Sequence, residues 1–133
     1  MKTRQFVNLY PVFLLILVSL FASCETETNA TYYIQNNSDS IITVEYNDYF
    51  ADISTEYVWP DEKRYLKYFS KRGKEFNEMD PTAPFGNLLI VMNFKGDTCK
   101  KEVLNINNWF ITMKNNESSA DHEYTLTIEN EDF

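Results

Sequence analysis

The sequence predicts a small all-β domain built from two antiparallel sheets packed on each other. Three observations carry this. Apolar and polar residues alternate in short runs, β-branched and aromatic residues dominate wherever apolar residues cluster, and clusters of turn formers separate the runs. Helix signals are poor by comparison, and only 3 glycines occur in 133 residues, which excludes a glycine-rich phosphate cradle.

The elements follow in order. Thr31–Gln35 (TYYIQ) is the first strand, and the turn formers NNSDS end it. In IITVEY, Ile42, Val44 and Tyr46 share one face while Thr43 and Glu45 share the other, so a second strand runs over Ile41–Tyr46. The pair proposes an opening hairpin or a strand with a sharp break. Ile53, Thr55, Tyr57 and Trp59 then lie on one side of a third strand, which Pro60 and Asp61 end, since proline cannot serve a central ladder. In Arg64–Phe69, alternation sets Tyr65, Lys67 and Phe69 against Arg64, Leu66 and Tyr68.

A polar connection from Ser70 to Gly86 follows, with room for a short helix around Glu75–Met79. Leu88–Phe94 (LLIVMNF) is the most hydrophobic run after the first two dozen residues and is expected to be a central strand. Lys101–Asn105 and Trp109–Met113 are candidates for two short strands. Glu123–Glu129 closes the set, with Tyr124, Leu126 and Ile128 on one face and Thr125 and Thr127 on the other. Seven or eight such strands point to an immunoglobulin-like sandwich, with a small open barrel as the alternative. No Cys–Trp–Cys spacing marks a true antibody-type domain.

The chain opens differently. Lys2 and Arg4 precede a run from Val12 to Ala22 that is apolar except for Ser19. This is the charged start and short apolar core of an export signal, too short for a spanning helix of about 20 residues. Leu20–Cys24 (LFASC) resembles the lipobox of bacterial lipoproteins, with Phe21 where an aliphatic residue is usual. The resemblance implies cleavage before Cys24 and a diacylglycerol thioether on its sulfur. Ordinary secretion, which would leave Cys24 a free thiol or a disulfide partner, is the alternative. The expected organisation is a signal peptide over 1–23, a lipidated cysteine and flexible tether over 24–30, and one domain over 31–133.

Two or three acyl chains hold a protein persistently, so the domain needs no membrane-binding face of its own. Membrane attachment through covalent lipid, palmitate included, is therefore expected. The chain carries 12 basic and 20 acidic residues, formally −8. Losing Lys2 and Arg4 with the signal leaves 10 against 20. That balance argues against nucleic acid as a partner and against general electrostatic adhesion to anionic lipid.

The ETET run behind Cys24 is similar to the surface-export signal of lipoproteins from the Bacteroides group. Together with Asn36–Asn37–Ser38 before an Ile/Val strand, the late Trp109 and the closing Tyr124–Phe133, the chain resembles small uncharacterised lipoproteins of Bacteroides relatives. The resemblance implies a β-sandwich and a place in the cell envelope at the outer membrane, facing either the periplasm or the exterior. It implies no activity.

No catalytic or metal constellation stands out. His122 is the only histidine and sits in SSADHEY, where a loop position is expected. Asp48, Asp52 and Glu56 recur every four residues in a strand-like setting, which spreads them over about 13 Å. An EF-hand pattern and a nucleophile elbow are both missing. No metal or cofactor is expected, nor an enzyme. Cys99 in KGDTCKK has no partner once Cys24 carries lipid, and is read as an inert, semi-buried thiol.

Aromatic residues are the stronger signal. Tyr49, Tyr57, Trp59 and Tyr68 form a candidate interaction surface, suited to stacking on sugars or capturing an extended peptide, with core packing as the competing account. Lys63, Arg64, Lys67, Lys71, Arg72 and Lys74 form a candidate charge-steering patch, against which stands protection of an exposed sheet edge. The expected function is a lipid-anchored, non-enzymatic interaction or accessory module with an envelope-protein or glycan partner. A purely structural envelope component is the alternative.

Overall fold

The computed structural model describes residues 27–48, 52–72, 82–115 and 119–133. The expected signal peptide, Cys24, Tyr49, Lys74 and the helix considered at Glu75–Met79 lie outside them. Among the described residues are seven strands: β1 (Glu27–Asn36), β2 (Ile42–Asn47), β3 (Ile53–Val58), β4 (Lys63–Arg72), β5 (Leu89–Asn93), β6 (Trp109–Asn115) and β7 (Ser119–Ile128). One helical turn, α1 (Thr82–Phe85), precedes β5, and single 3-10 turns occupy Ile106–Asn108 and Asn130–Asp132.

The strands form a four-stranded sheet in the order β4-β1-β7-β6 and a three-stranded sheet in the order β3-β2-β5. The fold is thus all-β, two sheets packed like a sandwich, and not a closed barrel. An immunoglobulin constant domain divides its strands 1-2-4-5 against 3-6-7. The connectivity here is different, because β1 pairs in parallel with β7 and antiparallel with β4.

Four expectations need correction. The first described strand includes Glu27, and its alternating burial already holds at Thr28 and Ala30, so Glu27–Ala30, assigned to the tether over 24–30, belong to the strand. The polar sequence ETNAT hides this because every second side chain faces solvent. Secondly, of the two openings proposed, the hairpin is not formed and the sharp break is, since β1 and β2 belong to different sheets. Asn36 explains the break. Its buried amide donates to the carbonyls of Ser40 (2.8 Å) and Val58 (2.9 Å), and its Oδ1 accepts from the Ser38 backbone N–H (2.9 Å) and hydroxyl (2.6 Å). The NNS motif is therefore an arch that carries the chain from one sheet to the other.

Thirdly, β5 is an edge strand, and β2 is the central one. The apolar run is nonetheless protected along its free edge. The segment after the Lys95–Gly96 turn folds back, with a bridge between Met92 and Thr98 and the Cys99 N–H on the Val91 carbonyl at 2.8 Å. Fourthly, Lys101–Asn105 is not a strand. Its turn is closed by the Asn105 N–H on the Glu102 carbonyl, and the Asn105 side chain then caps the 3-10 turn.

The core lies between the two inner faces. Ala30, Tyr32 and Ile34 of β1 and Tyr124, Leu126 and Ile128 of β7 meet Ile42, Val44 and Tyr46 of β2 and Leu89 and Val91 of β5. Phe85 of α1 is fully buried among Tyr32 (5.4 Å), Tyr46 (5.8 Å) and Trp109 (6.2 Å between ring centroids). The Trp109 indole N–H is satisfied by the Val103 carbonyl at 2.8 Å. Each such side chain contributes roughly 1.5–3 kcal/mol by leaving water.

Candidate interaction surface

Ladder register decides which rings face out. On β2, Ile42, Val44 and Tyr46 are buried, so Thr43, Glu45 and Asn47 form the outer face. Their register partners on β3 are Tyr57, Thr55 and Ile53, and on β5 Met92 and Ile90 lie opposite Thr43 and Glu45. Trp59 and Phe94 continue the same parity just beyond β3 and β5. Ile53, Tyr57, Trp59 and Phe94 are each 60–68% exposed. Large apolar side chains therefore gather on the outside of the smaller sheet although its inside is filled.

The turn that presents Trp59 is rigidly made. The Trp59 N–H donates to the Glu62 carboxylate at 2.9 Å, and the Glu62 N–H returns to the Trp59 carbonyl at 3.1 Å. Asp61 closes the turn with φ 61°, a left-handed conformation that aspartate tolerates better than most residues. Phe94 completes the group from β5, with the Lys95 ammonium 5.8 Å from its ring centroid. The sequence reading missed Phe94, although its parity with Ile90 and Met92 was the available signal.

Tyr68 does not join Tyr57 and Trp59. It lies on the outer face of the four-stranded sheet, on the opposite side of the molecule, with its hydroxyl on Asn29 Oδ1 at 2.6 Å. The predicted alternation in β4 also fails here. The register slips between Tyr32 and Tyr33, whose partners are Lys67 and Tyr65, so Leu66 is an extra, bulged residue. Leu66 and Lys67 consequently both turn inward and are buried, while Tyr65 and Tyr68 both turn outward.

The five described basic residues of the candidate patch likewise separate. Lys63 pairs with Glu123 and also lies 4.5 Å above the Tyr33 ring. Arg64 bridges to Glu62 at 2.6 Å and to Glu56 at 4.0 Å. Lys67 is only 5% exposed, and its ammonium donates to the carbonyls of Asn47 (2.8 Å), Asp48 (3.0 Å) and Pro84. It is an internal staple joining β4 to the β2 end and α1. Lys71 and Arg72 are exposed at the end of β4 on opposite faces.

Asp48 and Asp52 do come together, but to close a turn: the Asp52 N–H donates to the Asp48 carboxylate at 3.0 Å and the Asp48 N–H to the Asp52 carbonyl at 2.9 Å. Among the described residues, no three His, Cys, Asp or Glu side chains group as metal ligands. His122 sits inside β7, not in a loop, and is buried with Nδ1 3.2 Å from the Tyr124 hydroxyl. Cys99 packs half-buried beside β5, in the other layer, and burial pushes its thiol pKa up. No helix among the described residues is long and apolar enough to cross a membrane.

Comparison with protein-family models, with curated proteins and with solved structures finds no match to this chain. The class reached from the geometry is a two-sheet β domain with an apolar aromatic face on one side and a mixed aromatic and polar face on the other.

Proposed function

We propose that this chain is a non-enzymatic interaction or accessory module of a bacterial cell envelope, anchored by lipid on Cys24 and docked to an envelope protein through the outer face of β3-β2-β5. The observation that supports it most is the exposure of Ile53, Tyr57, Trp59 and Phe94 on one face of a domain whose core is complete without them. Leaving such side chains in water forgoes roughly 1.5–3 kcal/mol apiece, and large apolar residues exposed together on one face are a mark of interaction sites. The LFASC motif supports the anchor, and the ETET run behind Cys24 supports the outer-membrane location. In architecture, four strands against three, the domain is immunoglobulin-like, with a connectivity of its own.

Two residues, Glu25 and Thr26, lie between Cys24 and Glu27, a span of at most about 11 Å. The lipidated domain is therefore held close to the bilayer at its β1 end, where lateral encounters with other envelope proteins are frequent. Two measurements test the reading. Cys24→Ser abolishes incorporation of labelled palmitate and releases the protein from membranes. A photo-crosslinking residue at position 57 captures one discrete partner in cells, and the same residue at position 112 on the other sheet does not. Membrane retention of Cys24→Ser, or no adduct specific to position 57, overturns it.

A further inference from the structure

The outer face of the four-stranded sheet has a different chemistry, and we infer that it is a binding platform for a neutral glycan, independent of the docking face above. Three exposed rings stand on it. Phe110 of β6 is 72% exposed, and Tyr65 and Tyr68 of β4 are 47% and 41% exposed. Register places Phe110 level with Thr125, Tyr33 and Tyr65 in one row across all four strands, while Tyr68 begins the next row with Thr31, Glu123 and Thr112.

Regular alternation cannot put Tyr65 and Tyr68 on the same face, because they are three residues apart. The bulge at Leu66 does it, turning Leu66 and Lys67 inward together. A bulge interrupts the ladder, and its use to re-aim side chains is characteristic of binding surfaces. Here its effect is to add a second outward ring beside the first.

Tyr33 stands between Phe110 and Tyr65, edge-on to Tyr65 at 6.1 Å, and beyond the Tyr68 row the side chains are polar and already held. Asn29 accepts from the Tyr68 hydroxyl at 2.6 Å and donates to Asp121 at 2.9 Å. Glu27 accepts from the Ser70 hydroxyl at 2.6 Å, and Lys63 pairs with Glu123. Such pre-ordered groups lose little rotamer freedom when a ligand arrives. Rings that bury apolar C–H faces, flanked by fixed donors and acceptors, match a pyranose, which presents apolar faces and a rim of hydroxyls.

Charge specifies the class further. Lys63, Arg72 and Lys114 share this face with Glu27, Asp121 and Glu123, three of each sign. The face is balanced on a chain of net −8. It offers no net field to attract an acidic polysaccharide or a basic one, and a neutral chain fits.

The full lipidated protein, run in detergent by native electrophoresis through gels containing barley β-glucan, xylan, yeast mannan, starch or polygalacturonate, tests this. Retardation by at least one of the four neutral polysaccharides is expected. It weakens at least tenfold in Tyr65→Ala/Phe110→Ala and is unchanged in Tyr57→Ala, which belongs to the docking face. Unchanged emission from the buried Trp109, read in a Trp59→Phe background, shows that the double variant is folded. If that variant misfolds, Tyr65→Ser and Phe110→Ser made singly replace it, each expected to weaken retardation. The inference is overturned by retardation with polygalacturonate alone, by none of the polysaccharides retarding the protein, or by retardation that survives loss of Tyr65 and Phe110.

Discussion

Tyr32 and Tyr124 stack with ring centroids 4.8 Å apart and 15° between their planes, at the same register level of the parallel β1–β7 pair. They fasten the first strand to the last, and Tyr32 also meets Phe85 and Trp109 edge-on. Removing one ring leaves a cavity that the other three aromatic residues cannot close. Tyr124→Ala is expected to cost about 3–5 kcal/mol. Tyr124→Phe keeps the stack and gives up the hydroxyl with its contact to His122 Nδ1, for about 1 kcal/mol. Urea unfolding midpoints check this, and similar losses in the two variants would contradict it.

Asn36 is expected to be among the most sensitive polar positions. Asn36→Ala removes four hydrogen bonds of a fully buried amide and leaves the Val58 carbonyl without that donor. A loss of about 3 kcal/mol follows from burying unsatisfied groups. Its neighbour Asn37, exposed and bonded through its side chain to Glu129 at 3.0 Å, serves as the control, with a loss under about 1 kcal/mol on Asn37→Ala. Equal effects at 36 and 37 would show that the arch does not depend on the buried amide.

How far these features could be read from the sequence depends on whether a local rule governed them. Ile42, Val44 and Tyr46, and likewise Tyr124, Leu126 and Ile128, obey strict two-residue alternation, and both strands stand where that rule puts them. Tyr57 and Trp59 share a face as expected, yet which face is inside depends on the partner strand, and only register with β2 settles it. Tyr68 is their neighbour in sequence only. The sheet boundary at Trp59–Glu62 sends it to the other side of the molecule. Phe110 was legible in principle, since a buried Trp109 requires its neighbour to face out. The bulge at Leu66 had no local signature, and with it went the placement of Lys67.

Lys67 and Lys63 are expected to behave oppositely. Lys67→Met removes a buried ammonium from three carbonyls and is expected to cost about 2–4 kcal/mol, with little dependence on salt. Lys63→Met breaks a pair whose side chains are 39% and 45% exposed, and a loss under about 1 kcal/mol that vanishes in high salt is expected. Chemical unfolding by urea at low and high sodium chloride separates the two. A salt-sensitive loss at position 67 would return that residue to the surface patch.

Cys99 carries the pH dependence. Burial, opposed by a backbone hydrogen bond from Lys101, raises its thiol above the ordinary 9.0. Below that value the thiol is protonated in folded and unfolded chains alike, and its contribution to stability is fully present. As pH rises past 9.0 the unfolded thiol ionises first, so stability falls until the folded thiol ionises too. In a Cys24→Ser background, the stability difference from Cys99→Ala should therefore shrink above pH 9. Alkylation by iodoacetamide at pH 8 should also be slower than that of free cysteine. Alkylation faster than free cysteine would mark an activated thiol, contrary to this environment.

The N-terminal limit of the domain gives the sharpest contrast. Chains starting at Glu27 and at Thr31 differ by four residues, ETNA, that read as a polar tether. In the fold, Glu27–Ala30 pair with Arg72–Phe69 on one side and Ser119–His122 on the other, and Thr28 and Ala30 are buried. Deleting them opens a gap between β4 and β7 in the middle of the sheet, not at its edge, and leaves backbone groups on both neighbours without partners. A loss of at least about 2 kcal/mol corresponds to a drop in melting temperature of roughly 10 °C for a domain of this size. The chain beginning at Glu27 should melt like the lipid-free full domain beginning at residue 25. If the chain beginning at Thr31 melted at the same temperature as well, β1 would contribute nothing before Thr31, and the distance from lipid to fold would have to be redrawn.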